Sequence, residues 1–322
     1  MRINKAFTYL ICFILAVFLC ACSADNSQAG HKISIIIKST DSEFWQNFSK
    51  GVRSASTEYN VEVSLCGPEN EEDYYTQNML IESAAENGAE VIVLSAISSE
   101  NSNEVIRNAA NKGVRIITVD SGVAASVADL FIGTDNYKAG ASAGIAAAQG
   151  FSDSEKIRIG IVNCYEQTDN GIRREEGFRD YIATLDNAEI VGSVNTTSNA
   201  DSAAAAAVSL LSFHPEINVL VGFNEWMALG VGNAIRQLEV KDCVKGVGFD
   251  ANTVCVGMIE TGEMDALIVQ NPFAMGYLSV QYAYQIISKE SIKDKELYTD
   301  VTTVTRENVF DDDVQKILFT FE

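Results

Sequence analysis

The stretch ISIIIKSTDSEFWQNFSKG, residues 33–51, decides the fold class of this chain. It begins with a run of β-branched residues, which predicts a strand, and continues into a segment that predicts a helix. The strand is continuously apolar rather than alternating, which is typical of strands buried on both faces of a parallel sheet. Two large aromatic residues, Phe44 and Trp45, stand where the strand gives way to the helix. Such junctions are usually small and polar, so these rings need an explanation of their own.

The same alternation of short apolar runs and longer amphipathic segments continues to the end of the chain. Helical patterns such as SENSNEVIRNAANKG, which stops at Gly113, lie between the runs, and the Ala-rich segment ADSAAAAAVSLL is also helical by propensity. The rhythm predicts an α/β fold, and eleven strands are many for one open sheet, so we expect two parallel sheets. The predicted strands are ISIIIK, VEVSLC, EVIVLSA, VRIITVD, DLFIGT, IRIGIVN, EIVGSV, NVLVGFN, KGVGFD, ALIVQ and TDVTTVT.

The first residues predict an export signal rather than part of the fold. The charged start MRINK precedes the uncharged apolar stretch AFTYLICFILAVFLCA, and the segment ends in LCAC. This ending resembles the bacterial lipobox, which implies cleavage after residue 21 and lipidation of Cys22. An uncleaved membrane anchor is the alternative, but the run is short for a bilayer of about 30 Å. Residues 22–32 are small and polar and predict a flexible linker.

Composition excludes several classes of function. The chain has 322 residues and a formal net charge of −21, which argues against binding to nucleic acid. Only two histidines are present, and no Cys-x-x-Cys spacing occurs, so we predict no metal site and no cofactor. No phosphate-binding glycine loop or nucleophile motif is present, and GVGN at 230–233 is better explained by helix packing. Four cysteines follow Cys22. Exported proteins can form disulfides, and the spacings do not say which cysteines would pair, but we expect buried free thiols at Cys66, Cys164, Cys243 and Cys255.

Polar residues recur at the ends of the predicted strands. In open parallel sheets, ligands bind beyond the carboxyl ends of the strands, so these residues would face a shared site. Each one alone also fits a helix cap or a turn, and only the recurrence favours a binding role. The residues are Asp41, Ser42, Asp120, Asn224, Asp250 and Gln270.

A pair of arginines follows the strand IRIGIVN. Arg173 and Arg174 could both lie on a solvated helix face, paired with Glu175 and Glu176. Alternatively, one of the two arginines points into a cleft, where its guanidinium N–H groups would donate to a ligand. Carboxylates, amides and a guanidinium together suit the vicinal hydroxyls of a sugar, while aromatic rings suit its apolar faces. The residues therefore predict a small neutral sugar as the ligand.

These motifs together resemble the type I periplasmic sugar-binding proteins, above all the ribose-binding branch, which share their fold with the ligand domains of lactose-repressor-type regulators. The resemblance runs from about residue 33 to the C-terminus and implies two Rossmann-like domains, joined by a three-crossover hinge, with the ligand in the interdomain cleft. It implies one subdomain of residues 33–135 plus 271–297 and another of 136–270 plus 298–322. The matching stretches are DSEFWQNFSKG, GVRIITVDS, IGTDNYKAG, RREEGF, HPEINVLVGFNEWMALG, VGFD and IVQNPFAMG.

The resemblance also implies the ligand-binding residues. They are Ser42, Phe44, Trp45, Asp120, Arg174, Asn224, Asp250 and Gln270, with Asp41 and Ser121 as further candidates. The chain departs from the ribose binders in two places. Asp41, Ser42 and Glu43 replace an Asn-Asn-Pro-like stretch, and Ser121 replaces the arginine that follows the acidic residue of the fourth strand. The second domain also lacks an obvious aromatic near NTTSNADS. The sugar is therefore left open among pentoses, hexoses, polyols and furanose-like signals.

Three functions are compatible with these residues. The first is a lipid-anchored, exported binding protein on the outer face of the cytoplasmic membrane, which closes on a sugar and delivers it to an ABC permease. The second uses the same site to signal through a membrane histidine kinase or chemoreceptor. The third is an exported sugar-modifying enzyme with Asp120 and Asp250 as an acid/base pair, but no nucleophile, metal set or catalytic histidine supports it. We therefore expect a binding protein rather than an enzyme.

Overall fold

A computed structural model of the chain describes residues 32–124, 126–164 and 168–319. The predicted export signal, Cys22 and nearly all of the predicted linker lie outside the described residues. Within the described part, none of the helices combines the length and the apolar composition that a bilayer span requires.

The described residues form twelve strands and ten helices. The strands are β1 (Lys32–Ile36), β2 (Glu62–Cys66), β3 (Val91–Leu94), β4 (Arg115–Val119), β5 (Leu130–Gly133), β6 (Ile157–Cys164), β7 (Ala188–Thr196), β8 (Val219–Gly222), β9 (Lys245–Phe249), β10 (Ala266–Val269), β11 (Glu296–Tyr298) and β12 (Thr302–Thr305). The helices are α1 (Glu43–Tyr59), α2 (Tyr74–Glu86), α3 (Asn103–Asn111), α4 (Asn136–Ala148), α5 (Asp169–Ile182), α6 (Ala200–Phe213), α7 (Glu225–Gln237), α8 (Thr253–Thr261), α9 (Pro272–Ile287) and α10 (Asp312–Leu318).

The strands form two six-stranded sheets. The first sheet has the order β11-β5-β4-β3-β1-β2, and all its strands are parallel. The second has the order β12-β10-β9-β8-β6-β7, and only β12 is antiparallel to its neighbour. This confirms the predicted α/β fold with two parallel sheets. We call the first sheet with its helices the first lobe, and the second sheet with its helices the second lobe.

Burial on both faces explains why the strands are continuously apolar. In β3, Val91 and Val93 pack into the core on one face of the first sheet, whereas Ile92 and Leu94 pack into the core on the other face. Successive side chains of a strand point to opposite faces, so a strand covered by helices on both sides needs apolar residues at every position.

The chain passes between the two sheets three times: from β5 to α4, from β10 to α9, and from β11 to β12. The crossing segments contact one another. The Thr134 hydroxyl donates to Oε1 of Gln270 at 2.8 Å, and the backbone N–H of Thr299 donates to the carbonyl oxygen of Gly133 at 2.7 Å. The crossings therefore lie side by side as one narrow connection, and the end of β10 belongs to it.

Helix α1 begins where the opening stretch predicted it. The Ser42 side chain accepts a hydrogen bond from the N–H of Trp45 at 3.3 Å, which caps the helix, and Phe48 is fully buried in the first lobe. Gly51 lies against the backbone of α9, and an added Cβ would collide with the carbonyl oxygen of Phe273. A side chain there would push α9 away from α1, so Gly51 fixes how the second crossing enters the first lobe.

Most local predictions are confirmed. All eleven predicted strands are present, α3 ends just before Gly113 with its φ of +91°, and GVGN lies inside α7. The prediction missed β11, a three-residue edge strand without an apolar run. None of the four described cysteines forms a disulfide. The expected burial is confirmed only for Cys255, since Cys66 and Cys164 are partly buried and Cys243 is exposed in a turn before β9.

Candidate ligand-binding site

A cavity lies between the two lobes, beyond the carboxyl ends of the strands of both sheets. The space among its lining residues, open mouth included, is about 430 Å³. All eight residues that the resemblance implied line it: Ser42, Phe44, Trp45, Asp120, Arg174, Asn224, Asp250 and Gln270. Their role in binding stays a prediction. The further candidates do not line the cavity, since Asp41 is exposed and Ser121 is buried away from it.

Arg174 is the most constrained of these residues. Its side chain is only 1% exposed, Nε donates to Oδ1 of Asn136 at 2.8 Å, and Nη1 donates to the carbonyl oxygen of Phe223 at 2.9 Å. The guanidinium also lies over the ring of Phe249, 4.6 Å from its centroid. Nη2 is buried and has no hydrogen-bond partner among the described residues. The neighbouring Arg173 is different, because it is exposed and pairs with Glu176 at 2.6 Å.

Asp120 lies in a buried network at the end of β4. Nζ of Lys38 lies 2.9 Å from its carboxylate, the Ser95 hydroxyl donates to it at 3.0 Å, and Asn170 donates at 3.1 Å. Burial alone would raise the pKa of this carboxyl. The nearby charges of Lys38 and Arg174 outweigh that effect and lower its pKa. Asp120 is therefore ionised and paired with Lys38.

Asp250 and Gln270 form a second pair at the ends of β9 and β10. Nε2 of Gln270 donates to the Asp250 carboxylate at 2.7 Å, and Oε1 of the same amide accepts from Thr134 in the first crossing. Burial raises the pKa of Asp250 to about 6, although Arg174 and Gln270 act to lower it. Asp250 does not cap α8, because Asn252 does so by accepting from the N–H of Cys255 at 2.8 Å.

Two cavity residues are also helix caps. Asn224 accepts from the N–H of Met227 at 2.9 Å, and its amide nitrogen donates to the Ser198 hydroxyl at 3.1 Å. Ser42 caps α1 as described above. Capping and cavity lining are therefore not alternatives at these positions, because a helix that starts at the end of a strand places its cap at the edge of the site.

The two rings of the opening stretch have different environments. Phe44 and Trp45 meet edge to face at 4.9 Å, but Trp45 is only 2% exposed and packs on Phe48 in the core of the first lobe. The indole N–H of Trp45 donates to Glu71 at 3.1 Å. Phe44 is half-buried and leaves part of its ring free for a ligand.

Several lining residues were not predicted from the sequence. Trp226 lines the cavity as an aromatic residue of the second lobe, although the sequence near NTTSNADS contains none. It lies two residues after the predicted Asn224, and this closeness is the signal that could have found it. Lys38 closes the first strand as the predicted polar residues close theirs. Glu71 gave no signal, because it belongs to the acidic run ENEED, which is typical of a solvated loop. The main unpredicted lining residues are Lys38, Glu71, Asn170, Glu225 and Trp226.

Glu225 is the least expected of them. It is 6% exposed, and its two carboxylate oxygens accept from the N–H groups of Glu43 and Phe44 at 3.3 Å each. Burial raises its pKa to about 8, and the charges of Asp250 and Glu71 add to this, while the two N–H groups act to lower it. No described cation forms an ion pair with it. Glu225 also contributes to a raised pKa of the nearby Cys255 thiol, which burial raises to about 12.

Other carboxylates join the lobes around the cavity. Glu43, in the first turn of α1, accepts from the backbone N–H and the hydroxyl of Thr253 at 3.0 Å each. The backbone N–H of Ser198 donates to Glu72 at 2.8 Å, and its hydroxyl donates to Glu71 at 3.2 Å. These contacts join residues of the first lobe to residues of the second, so the structure has the lobes closed over the cavity.

The comparisons with known proteins agree with this architecture. The periplasmic binding protein domain family matches residues 33–291, and the chain belongs to that family. Its members are exported solute-binding proteins rather than enzymes. The D-ribose/D-allose-binding protein of Pseudomonas aeruginosa is 25% identical over 91% of this chain and 97% of its own length.

Two solved structures are similar over nearly the whole described chain. A carbohydrate transporter solute-binding protein from Agrobacterium radiobacter, in complex with D-arabinose, has a TM-score of 0.87 and 28% identity, covering 91% of this chain and 100% of its own. The XylFII–LytSN complex has a TM-score of 0.79 and 26% identity, covering 87% and 99%.

Proposed function

We propose that this protein captures a monosaccharide in the cavity between its lobes and delivers it to an ABC importer. The observation that carries the proposal is Nη2 of Arg174, a buried and unpartnered donor on a residue that lines the cavity. A buried charged donor without an acceptor costs free energy, and a ligand oxygen would remove that cost.

The surrounding groups suit sugar hydroxyls. Asp120 and Asp250 can each accept from a hydroxyl, Asn224 and Gln270 can donate or accept, and the free part of the Phe44 ring can cover an apolar sugar face. Relatives and structural neighbours named for D-ribose, D-allose and D-arabinose support the same ligand class. We therefore assign ligand binding to the eight residues that the resemblance implied. Lys38 and Asn170 take part indirectly, because they hold Asp120 in place.

Binding would proceed by hinge closure between subdomains of residues 33–135 plus 271–297 and 136–270 plus 298–322. The three side-by-side crossings support a hinge, because few contacts have to change there when the lobes move apart. The contacts of Glu43 and Glu225 with the opposite lobe would form only on closure. A sugar that contacts both lobes would stabilise the closed form, which the permease would recognise.

A thermal-shift screen tests the binding proposal, because a ligand of the folded state raises the melting temperature. The panel contains D-ribose, D-allose, D-arabinose, D-fucose and D-galactose. We expect at least one to stabilise the wild type, and Arg174→Ala and Asp250→Ala to abolish that shift while both variants stay folded by circular dichroism. Arg173→Ala is the matched control and keeps the shift. Shifts of wild-type size in both cavity variants would refute the site.

The position in the cell is part of the proposal. The protein would be held on the outer face of the cytoplasmic membrane by lipid on Cys22, as the lipobox resemblance implies. Metabolic labelling with a clickable fatty acid should mark the wild type, and Cys22→Ala should lose the label and leave the membrane fraction. Labelling that persists in Cys22→Ala would contradict the anchor.

Signalling is the second candidate, and the likeness to the chain in the XylFII–LytSN complex favours it. The same closed form would then dock on a membrane sensor kinase or chemoreceptor instead of a permease. Neighbouring genes for a permease and an ATPase would support import. A neighbouring histidine kinase whose soluble domain binds the sugar-loaded protein, but not the sugar-free protein, would support signalling.

A further inference from the structure

The acidic and basic groups that line the cavity are unequal in number. Four carboxyl groups face two cations: Glu71, Asp120, Glu225 and Asp250 against Lys38 and Arg174. Lys38 is paired with Asp120 at 2.9 Å, and Arg174 is the cation that acts on Asp250. Glu71 and Glu225 form no ion pair with any cation of the described residues.

Glu225 is buried too deeply for water to compensate it. Its partners are the two N–H groups at the start of α1, and the partial positive charge of a helix N-terminus is smaller than one unit. Asp250 and Glu71 add negative potential at the same carboxylate. Without a cation, burial favours the protonated form of Glu225, and a cation that arrives with the ligand would stabilise the ionised form in its place.

The described residues give no support for a metal ion as that cation. In residues 32–124, 126–164 and 168–319, no three acidic, histidine or cysteine side chains are grouped closely enough to ligate one. The cavity itself and the unpartnered Nη2 of Arg174 point instead to an organic ligand that has an acceptor at one end.

We propose that the preferred ligand is a monosaccharide with a protonated amino group, and that Glu225 receives this group. The inference rests on the proposed function of sugar capture and adds the class of sugar. An ammonium offers three donors in a small volume, so it can bond to Glu225 with Glu71 close by. The hydroxyls of the same sugar are left for Asp120, Asp250 and Arg174, and the rings of Phe44 and Trp226 add a favourable environment for a cation.

Calorimetry with matched sugars tests this. D-glucosamine, D-galactosamine and D-mannosamine are compared at neutral pH with the parent hexoses and with the N-acetyl derivatives, which have the same skeleton without the charge. We expect at least one amine to bind about ten- to hundredfold tighter than its parent and its N-acetyl form, as for hydrogen bonds to charged groups. In Glu225→Gln the ratio of amine to parent affinity should fall about tenfold. Glu82→Gln makes the same change on the exposed surface of α2 and should keep the ratio.

The outcomes separate the two proposals. If neutral sugars bind as tightly as the amines or more tightly, the amine inference is wrong and sugar capture stands. If no sugar of this panel or of the thermal-shift panel binds, sugar capture itself is wrong. If an amine is preferred but the ratio persists in a folded Glu225→Gln, the assignment to Glu225 is overturned. Glu71→Gln, which should lower the ratio less than Glu225→Gln, checks that the effect belongs to the nearer carboxylate rather than to any loss of charge.

Discussion

Replacing Arg174 by lysine separates the charge of this residue from its geometry. Lysine keeps the positive charge that acts to lower the pKa of Asp250. Its single nitrogen cannot take the positions of the three guanidinium nitrogens and their N–H donors. The guanidinium makes two buried hydrogen bonds, to Asn136 at 2.8 Å and to Phe223 at 2.9 Å, and holds Nη2 free. Arg174→Lys should therefore keep the ionic balance of the cavity while losing one structural bond and the free donor.

The two losses have separate magnitudes. A buried acceptor left unpaired costs about 1–3 kcal/mol, so the free energy of unfolding without ligand should fall by about 2 kcal/mol. The ligand loses a hydrogen bond from a charged donor, worth about 1.5–3 kcal/mol, which corresponds to roughly 10- to 150-fold weaker binding. Arg173→Lys is the matched control, since Arg173 is exposed in a pair with Glu176, and its effect should stay below about 0.5 kcal/mol.

Urea unfolding measures the first loss and calorimetry the second, with the panel sugar that gives the largest thermal shift. If Arg174→Lys binds that sugar within about twofold of wild type, Nη2 does not contact the ligand, and the reasoning from the unpartnered donor is refuted. If stability is unchanged as well, the buried hydrogen bonds of Arg174 are also misassigned.

Three further predictions concern the buried charges and the contacts between the lobes. Lys38→Met leaves the buried carboxylate of Asp120 without its paired cation and should lower the free energy of unfolding by about 3–5 kcal/mol in urea titrations. The control Lys112→Met removes an exposed pair with Glu86, 4.0 Å long, and should change the free energy of unfolding by less than about 1 kcal/mol. Equal effects of the two substitutions would contradict the buried pairing. Glu43→Gln weakens the contact with Thr253 across the cavity and should speed sugar release about three- to tenfold in stopped-flow measurements, while an unchanged release rate would show that the contact does not hold the closed form. The pKa of Glu225 is raised from 4.5 to about 8 on folding, so the folded chain binds this proton more tightly than the unfolded chain; its contribution is complete below about pH 4 and is lost as pH rises through about 8. The free energy of unfolding of the wild type should therefore fall relative to that of Glu225→Gln as pH rises from about 4 to about 8. If the free energies of unfolding of the two proteins change in parallel with pH, Glu225 is not a buried acid without a paired cation.

The fold was largely predictable because burial on both faces leaves a strong sequence pattern. Runs such as VIVL at 91–94 can hardly be surface strands, and their alternation with helical segments leaves few architectures. The missed β11 has no such pattern. Its three residues, ELY, pair along the exposed edge of the first sheet, where neither face needs apolar side chains throughout.

The site was partly predictable for a related reason. Residues that end strands are placed by the topology, so Asp120, Asp250 and Gln270 could be expected at the carboxyl edges of the sheets without knowing any distances. Residues that reach the cavity from a loop or from a helix face had no such constraint. Glu71 looks like any acid in a charged loop, and Glu225 looks like an ordinary first-turn glutamate that favours a helix N-terminus. Its contact with α1 depends on how the two lobes meet, which local sequence does not specify.

A crystal structure of the protein with its tightest-binding panel sugar would show whether the cavity between the lobes is the binding site. We expect a sugar there, with one oxygen within hydrogen-bond distance of Nη2 of Arg174 and hydroxyls bonded to Asp120 and Asp250. A sugar bound elsewhere would contradict it, for example in the crevice lined by Tyr137, Lys295 and Tyr298 beside the crossings, with Nη2 still unpartnered.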